Sequence, residues 1–241
     1  MTANLLALKL QSFARLSDVD QLWLKEALGQ SRQVAAHADL VDQGQDPHAV
    51  NVILDGWACR SRLLADGRRQ IVALMLPGDL CDPHIFLLDR MDHTIGALTP
   101  LTVAQIPGPA FQSLVERSAS LAYAFRREGL SAIAIQREWT VSLGRRSGIE
   151  RLAHLFCELY WRLAAVGLTD GGSCPFPLTQ NDLADVLGQT SVHINRTLQE
   201  LRSMGLVALR GRRLTIHDQT GLAELAYFDP VYLHFTQKAG Q

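Results

Sequence analysis

Hydrophobic positions along the chain change their period twice, and each change predicts a different architecture. From Val50 to Leu76, apolar and β-branched residues come in short runs broken by turn residues: Val50 to Leu54, Asp55-Gly56, Trp57 to Leu64, Asp66-Gly67, Gln70 to Leu76, then Pro77-Gly78-Asp79. Such runs read as strands, with hairpin turns at the Gly-containing pairs. The cluster Gln43-Gly44-Gln45-Asp46-Pro47 reads as a turn ahead of them, and Thr102 to Ile106 as a later strand. Short strands at this spacing predict a small barrel or roll. Before it, Ser17 with Asp18, Val19 and Asp20 predicts a short helix through Leu28, with Leu22, Trp23 and Leu24 on its apolar side.

From about Phe111 to Leu143 the period is helical. Leu121, Phe125, Glu128, Ala132, Ile135, Trp139 and Ser142 follow one another at alternating spacings of four and three, a heptad seam interrupted by Glu128 and Ser142. A seam needs a partner. One reading pairs Leu121, Phe125, Ala132, Ile135 and Trp139 with a second copy of the chain; the other packs them on the chain's own roll. Gly144-Arg145-Arg146 reads as a hinge, and Ser147 with Glu150 as a capping box opening a helix striped by Leu152, Phe156, Leu159 and Leu163. Gly171 to Pro175 reads as a loop.

The last change of period, over 179–217, carries the chemistry. Thr179 caps a helix with Leu183 and Leu187 inward, small Ala184 allows a close crossing, and Gly188 ends it. Thr190 or Ser191 opens a second helix whose Ile194, Leu198 and Leu201 face the first, leaving Ser191, Val192, Asn195, Arg196 and Gln199 outward. Leu206 to Leu209, the turn Arg210-Gly211-Arg212-Arg213 and Leu214 to Ile216 read as a hairpin wing. A helix fits the major groove, where outward side chains meet base edges while cationic wing residues reach phosphates. Thr179, Gln180, Ser191, Val192, His193, Asn195, Arg196, Gln199, Arg212 and Arg213 are therefore the candidate DNA contacts.

Composition refines this picture. The 241 residues, 47% hydrophobic, suffice for more than one core, and the formal net charge of −1 announces no general polyanion affinity. Within 179–217, five arginines oppose Asp182, Asp185 and Glu200. That small positive excess favours selective base reading over indiscriminate charge-driven binding. No apolar run could span a bilayer, and the N-terminus lacks the features of a secretory signal, so the expected location is the cytoplasm. Cys59, Cys81, Cys157 and Cys174 show no C-x-x-C spacing, and reduced structural thiols are expected.

Taken together, Asp66-Gly67-Arg68-Arg69-Gln70-Ile71, Pro77-Gly78-Asp79, Leu183-Ala184-Asp185-Val186-Leu187-Gly188 and Val192-His193-Ile194-Asn195-Arg196 resemble the Crp/Fnr superfamily of transcription regulators over nearly the whole chain. The resemblance implies an α+β chain: an N-terminal cyclic-nucleotide-binding-like β-roll over 1–110, a long dimerisation helix and hinge over 111–146, a C-terminal winged helix-turn-helix over 147–220, and a tail over 221–241. It further implies a homodimer on a near-palindromic double-stranded DNA site, RNA polymerase as a partner, no membrane association, and regulation without catalysis.

The signal is less conventional. Cyclic-nucleotide-binding relatives follow their Gly-Glu with an Arg-Ser or Arg-Thr pair that holds the phosphate, whereas this chain has Gly78-Asp79 and then His93-Thr94. Histidine lacks the permanent forked charge of arginine. That argues against cyclic AMP, and the absence of cysteine before Cys59 argues against an N-terminal iron–sulfur cluster. His37, His48, His84 and His93 form no haem motif. Gly78, Asp79, Cys81, Asp82, His84, His93 and Thr94 are the candidate effector site, for an organic ligand, a metal or thiol chemistry; no metal or cofactor is identified. Three alternatives remain: a cyclic-nucleotide-responsive regulator of the same fold, a cupin-like metalloenzyme, which the lack of His-x-His opposes, and a structural adaptor.

Overall fold

The computed structural model describes residues 5–46, 48–83, 86 and 89–236. Pro47 of the expected turn and His84 of the expected effector site lie outside these residues. Eight strands, β1 (Arg32–Val34), β2 (Asp39–Val41), β3 (Ala49–Asp55), β4 (Ala58–Leu63), β5 (Arg69–Met75), β6 (Leu80–Cys81), β7 (Thr94–Ala97) and β8 (Leu101–Pro107), form two antiparallel sheets ordered β1-β8-β3-β6 and β2-β7-β4-β5. Ile53, Leu101 and Val103 of one sheet meet Ala58, Met75 and Ile95 of the other in a shared apolar core. This is the expected roll. Strands β1, β2, β6 and β7 escape sequence reading because two to four residues cannot establish a period. Gly56, at φ +83°, fills the expected turn; a Cβ there would lie 2.2 Å from the Pro100 carbonyl oxygen, so only glycine fits.

Helices α1 (Leu5–Gln11), α2 (Asp18–Ala27), α3 (Gly108–Arg117) and α4 (Ala119–Arg145) flank the roll. The single helix expected from Phe111 is in fact two. Ser118, at φ −131° and ψ 113°, breaks it, caps α4 by accepting from Leu121 N, and donates to Asp20 Oδ1 at 2.5 Å. The heptad seam on α4 is real but intramolecular. Leu121, Phe125 and Trp139 are 0%, 1% and 8% exposed within their own chain, so they are not available to a second copy. Ala132 and Ile135, on the same side, border a cavity beside the roll. Of the expected dimer seam, Leu121, Phe125 and Trp139 are covered by the chain's own roll, α1, α3 and C-terminal half, whereas Ala132 is exposed and Ile135 half-buried.

The C-terminal part contains α5 (Gly148–Ala164), β9 (Ser173–Pro175), α6 (Gln180–Leu187), α7 (Ser191–Ser203), β10 (Val207–Arg210), β11 (Arg213–Ile216) and α8 (Gln219–Ala226). The segment expected as a loop supplies β9, which pairs with β11 by placing buried Cys174 opposite Leu214. Trp57, Ile71 and Leu74 from the roll share one apolar cluster with Phe156, Leu183 and Leu198. The two halves are therefore packed on each other. The chain end returns across α4, where Ser131 Oγ donates to the Leu233 carbonyl at 2.8 Å and Arg127 to that of His234 at 2.7 Å. Among the described residues, no helix is long and apolar enough to cross a membrane.

Candidate nucleic-acid interface and signal region

The helix pair is built by local chemistry. Thr179 Oγ1 accepts from Asp182 N at 3.1 Å while Asp182 Oδ2 accepts from Thr179 N at 2.9 Å, a reciprocal cap that fixes where α6 starts. Gly188 ends α6 in the left-handed region, at φ +61°, and Thr190 caps α7. Leu183, Leu187, Ile194, Leu198 and Leu201 are all buried between the helices and α5. The opposite face of α7 is open: Val192 is 79% exposed, and Asn195, Arg196 and Gln199 are exposed with it. Arg196 Nη2 donates to His193 Nδ1 at 2.7 Å, which steadies the guanidinium on that face.

Ser191 and His193 are half-buried, His193 because its ring packs on Gly148, and Gln180 is exposed beside Asn195. The Thr179 hydroxyl is already engaged by Asp182, at 2.6 Å. In the wing, Gly211 and Arg212 both have positive φ, +57° and +60°, the two-residue turn whose twist suits a tight hairpin. It holds Arg210 and Arg213 opposite each other, with Arg212 at the exposed tip. A helix with a free polar face beside a cationic hairpin can enter a groove and straddle its phosphates.

Among the described residues, the candidate effector residues do not converge on one point. Gly78, at φ +95°, packs so closely on the Leu5 carbonyl that a Cβ would lie 2.8 Å from its oxygen. Asp79 is the centre of a buried ion cluster: Lys9 Nζ at 2.7 Å, Arg162 Nη2 at 2.8 Å, and Leu76 N donating at 2.8 Å. Burial alone would raise its carboxyl, but Lys9 and Arg162 hold it below the usual carboxylate range. Arg162 also donates to Glu158 at 3.2 Å and to the Leu74 carbonyl at 2.7 Å, and Glu158 accepts from Trp139 Nε1 and Tyr232 Oη, each at 3.0 Å.

Cys81 lies in the inter-sheet core with its sulfur 3.7 Å from that of Met75. Burial pushes its thiol far above the usual range, opposite to what a reactive thiolate needs. Asp82 and His93 do meet, at 3.0 Å, but Arg60 donates to both, and Asp92 lies 2.6 Å from His93 Nδ1. Thr94 Oγ1 accepts from the Gln43 backbone at 3.3 Å. Among the described residues, no group of three or more His, Cys, Asp or Glu is arranged to hold a metal ion. The expected thiol chemistry is not favoured by this placement, because Cys81 turns into the core.

Comparison with known proteins agrees with this geometry. Residues 31–118 match the cyclic nucleotide-binding domain and residues 150–225 the Crp-like helix-turn-helix domain. The chain is 32% identical over 177 residues to the nitrogen fixation regulation protein FixK of Bradyrhizobium diazoefficiens, covering 72% of each chain. The chain belongs to the Crp/Fnr family of transcriptional regulators. It is also 27% identical over 202 residues to the transcriptional activator protein FnrL of Cereibacter sphaeroides, covering 83% of this chain and 81% of that one. Its fold is similar to that of FixK2 from Bradyrhizobium japonicum, with TM-score 0.71 and 22% identity, covering 81% and 96% of the two chains. A CooA variant from Carboxydothermus hydrogenoformans gives TM-score 0.67 at 17% identity, covering 88% and 98%.

As a Crp/Fnr regulator, the chain carries a DNA-binding helix-turn-helix behind a roll of the cyclic-nucleotide-binding type. Sequence reading missed Lys9, Arg60, Glu128, Glu158 and Arg162, which line or support the space between roll and α4. A signal existed for two of them. Glu128 interrupts the α4 seam and Glu158 lies within the apolar face of α5, and charge on a buried face needs a partner. Glu158 has Arg162; Glu128 keeps one carboxylate oxygen unpartnered, and burial pushes its carboxyl up to about 7.

Proposed function

We propose that this regulator reads a near-palindromic DNA site as a homodimer, in the cytoplasm and without catalysis, under a signal other than cyclic AMP. The observation that carries the DNA-reading mode is the open face of α7, where Val192, an apolar residue, is 79% exposed beside Asn195 and Arg196. Exposed valine gains by covering a thymine methyl, and arginine by forking onto guanine O6 and N7. Gln180, Ser191, His193 and Gln199 border this face, Thr179 lies at the α6 N-terminus where phosphate approaches, and Arg212 and Arg213 serve the backbone beyond it.

For the dimer, we assign the face of α4 opposite the buried seam. Tyr123, Leu130, Ile133 and Val141 are 52%, 57%, 53% and 46% exposed. At about 100° per residue they fall on one face, together with the stems of Arg126 and Arg137. A second copy laid along that face presents two α7 helices to half-sites about 10–10.5 bp apart. RNA polymerase is the partner such a bound dimer would address.

Against cyclic AMP stand the engagement of Asp79 by Lys9 and Arg162 and that of Arg60 by Asp82 and His93, which leave neither group free for a ribose or a phosphate. The cavity between roll and α4 measures about 60 Å³, room for a few waters. The signal therefore acts on the cluster lining that cavity, and Gly78, Asp79, Cys81, Asp82, His93 and Thr94 shape the segment around it.

The test is binding-site selection with the wild type, Arg196→Ala and Leu130→Glu, repeated with cyclic AMP. Arg196→Ala is expected to lose about 1–3 kcal/mol and to relax one position of each half-site. Leu130→Glu should yield monomers that recover at most a half-site. An unchanged half-site for Arg196→Ala, an intact Leu130→Glu dimer, or a tenfold gain with cyclic AMP would each overturn the corresponding part.

A further inference from the structure

Two neighbouring residues of β5 grip the first helix of the DNA-reading pair. Arg69 Nε donates to Asp185 Oδ2 at 2.8 Å, Arg69 Nη2 to Asp182 Oδ1 at 3.2 Å, and Gln70 Nε2 to the Val186 carbonyl at 3.1 Å. One planar guanidinium thus spans two carboxylates a helical turn apart, a fork that lysine could not reproduce. The pair is partly shielded: the Arg69, Asp182 and Asp185 side chains are 37%, 8% and 29% exposed. While these bonds hold α6, Val192, Asn195, Arg196 and Gln199 of α7 remain exposed. The same strand borders the cavity beside α4 at Ala73, Leu74 and Met75, and is held there by Gln136 on the Val72 carbonyl and Arg162 on that of Leu74.

We propose that Arg69 and Gln70 latch the helix-turn-helix unit to the roll in its DNA-competent orientation, and that β5 couples the cavity to operator affinity through this latch. The proposal rests on α7 being the DNA-reading helix. A competent orientation populated only part of the time weakens apparent affinity by that fraction, so a latch acts on DNA binding without touching DNA. Asp182 also caps α6, through Thr179, and a test of the latch must leave it in place.

The experiment uses the full-length protein and three variants, Arg69→Ala, Asp185→Ala and the double, with two readouts: amide exchange across 180–187 and operator affinity at fixed salt. Exchange over residues 49–55 of β3 reports whether the roll is intact. Each single variant is expected to speed exchange in α6, to leave β3 unchanged, and to weaken operator binding about fivefold. The double variant should be no weaker than Arg69→Ala alone. Arg69→Lys, which keeps the charge and loses the fork, should fall between wild type and Arg69→Ala. Unchanged α6 exchange, additive losses, or tighter operator binding on opening would overturn the latch. Faster α6 exchange with no operator bound by any form, wild type included, would overturn the DNA-reading premise while upholding the contact.

Discussion

Replacing Arg162 by methionine tests whether the buried cluster between roll and α5 is held by charge. The side chain is 6% exposed, and its two terminal nitrogens serve Asp79, Glu158 and the Leu74 carbonyl at 2.7–3.2 Å. Methionine keeps much of the volume and removes every one of these bonds. Asp79 retains Lys9, but Glu158, fully buried, is left with only the neutral donors Trp139 and Tyr232. Removing one partner of a buried ion pair costs roughly 3–5 kcal/mol. With a urea dependence of about 1–3 kcal/mol per molar, the midpoint should fall by about 1–5 M.

The pH dependence separates a lost charge from lost packing. Asp79 is held below its unfolded value, so its contribution is present above that value, near 3.8, and is lost only as pH falls through the still lower folded one. Burial already raises Glu158, and without Arg162 it rises further; its folded form then takes up a proton at a higher pH than the unfolded chain does and regains stability on acidification. The gap between wild type and Arg162→Met should therefore be widest at pH 7.5 and narrow toward pH 5. Trp139, bonded to Glu158, supplies a fluorescence signal for the urea titration. A loss below about 1 kcal/mol at pH 7.5, or a gap that widens on acidification, would refute the reasoning.

Two further outcomes follow from the same geometry. Glu128, raised to about 7 by burial from an ordinary 4.5, lowers stability as pH climbs between those values. Glu128→Gln should therefore raise the melting temperature more at pH 8 than at pH 5, and a difference independent of pH would count against it. Arg212 sits at φ +60° on the wing tip, so Arg212→Gly should relieve about 1 kcal/mol of backbone strain per subunit while reducing the salt slope of dimer binding to the operator by about two, one per subunit. Thermal melts and salt titrations read the two effects separately, and a variant that loses both stability and affinity would contradict the split.

The DNA-reading unit was legible in sequence because its determinants are local. Thr179 and Asp182 cap a helix three residues apart, Gly188 stops it, and the spacing of Ile194, Leu198 and Leu201 sets which face turns inward. The roll was legible for the same reason wherever its strands exceed about five residues. The α4 seam shows the limit of periodicity. Spacing states that Leu121, Phe125 and Trp139 are covered, but not by which surface, and here the surface belongs to the same chain.

The ion cluster was hidden for a different reason. Asp79 and Arg162 are 83 residues apart, and nothing between them announces the contact. Yet Glu128 and Glu158 interrupt apolar stripes, and no carboxylate is buried without compensation or a raised pKa. Both carboxyls are raised by burial, but Glu158 is met by Arg162, Trp139 and Tyr232, whereas Glu128 has an oxygen without a partner and is pushed up to about 7. The cluster draws its members from α1, the Pro77-Gly78-Asp79 turn, α4 and α5, so a shift of any one of these elements unbalances charge in the others. Apolar packing tolerates a small slide at modest cost, but a buried ion cluster does not, since each lost bond leaves a charge unmet. That difference makes the junction of roll, α4 and α5 suited to two discrete arrangements rather than a continuum, the property by which a signal in the roll can reach α7.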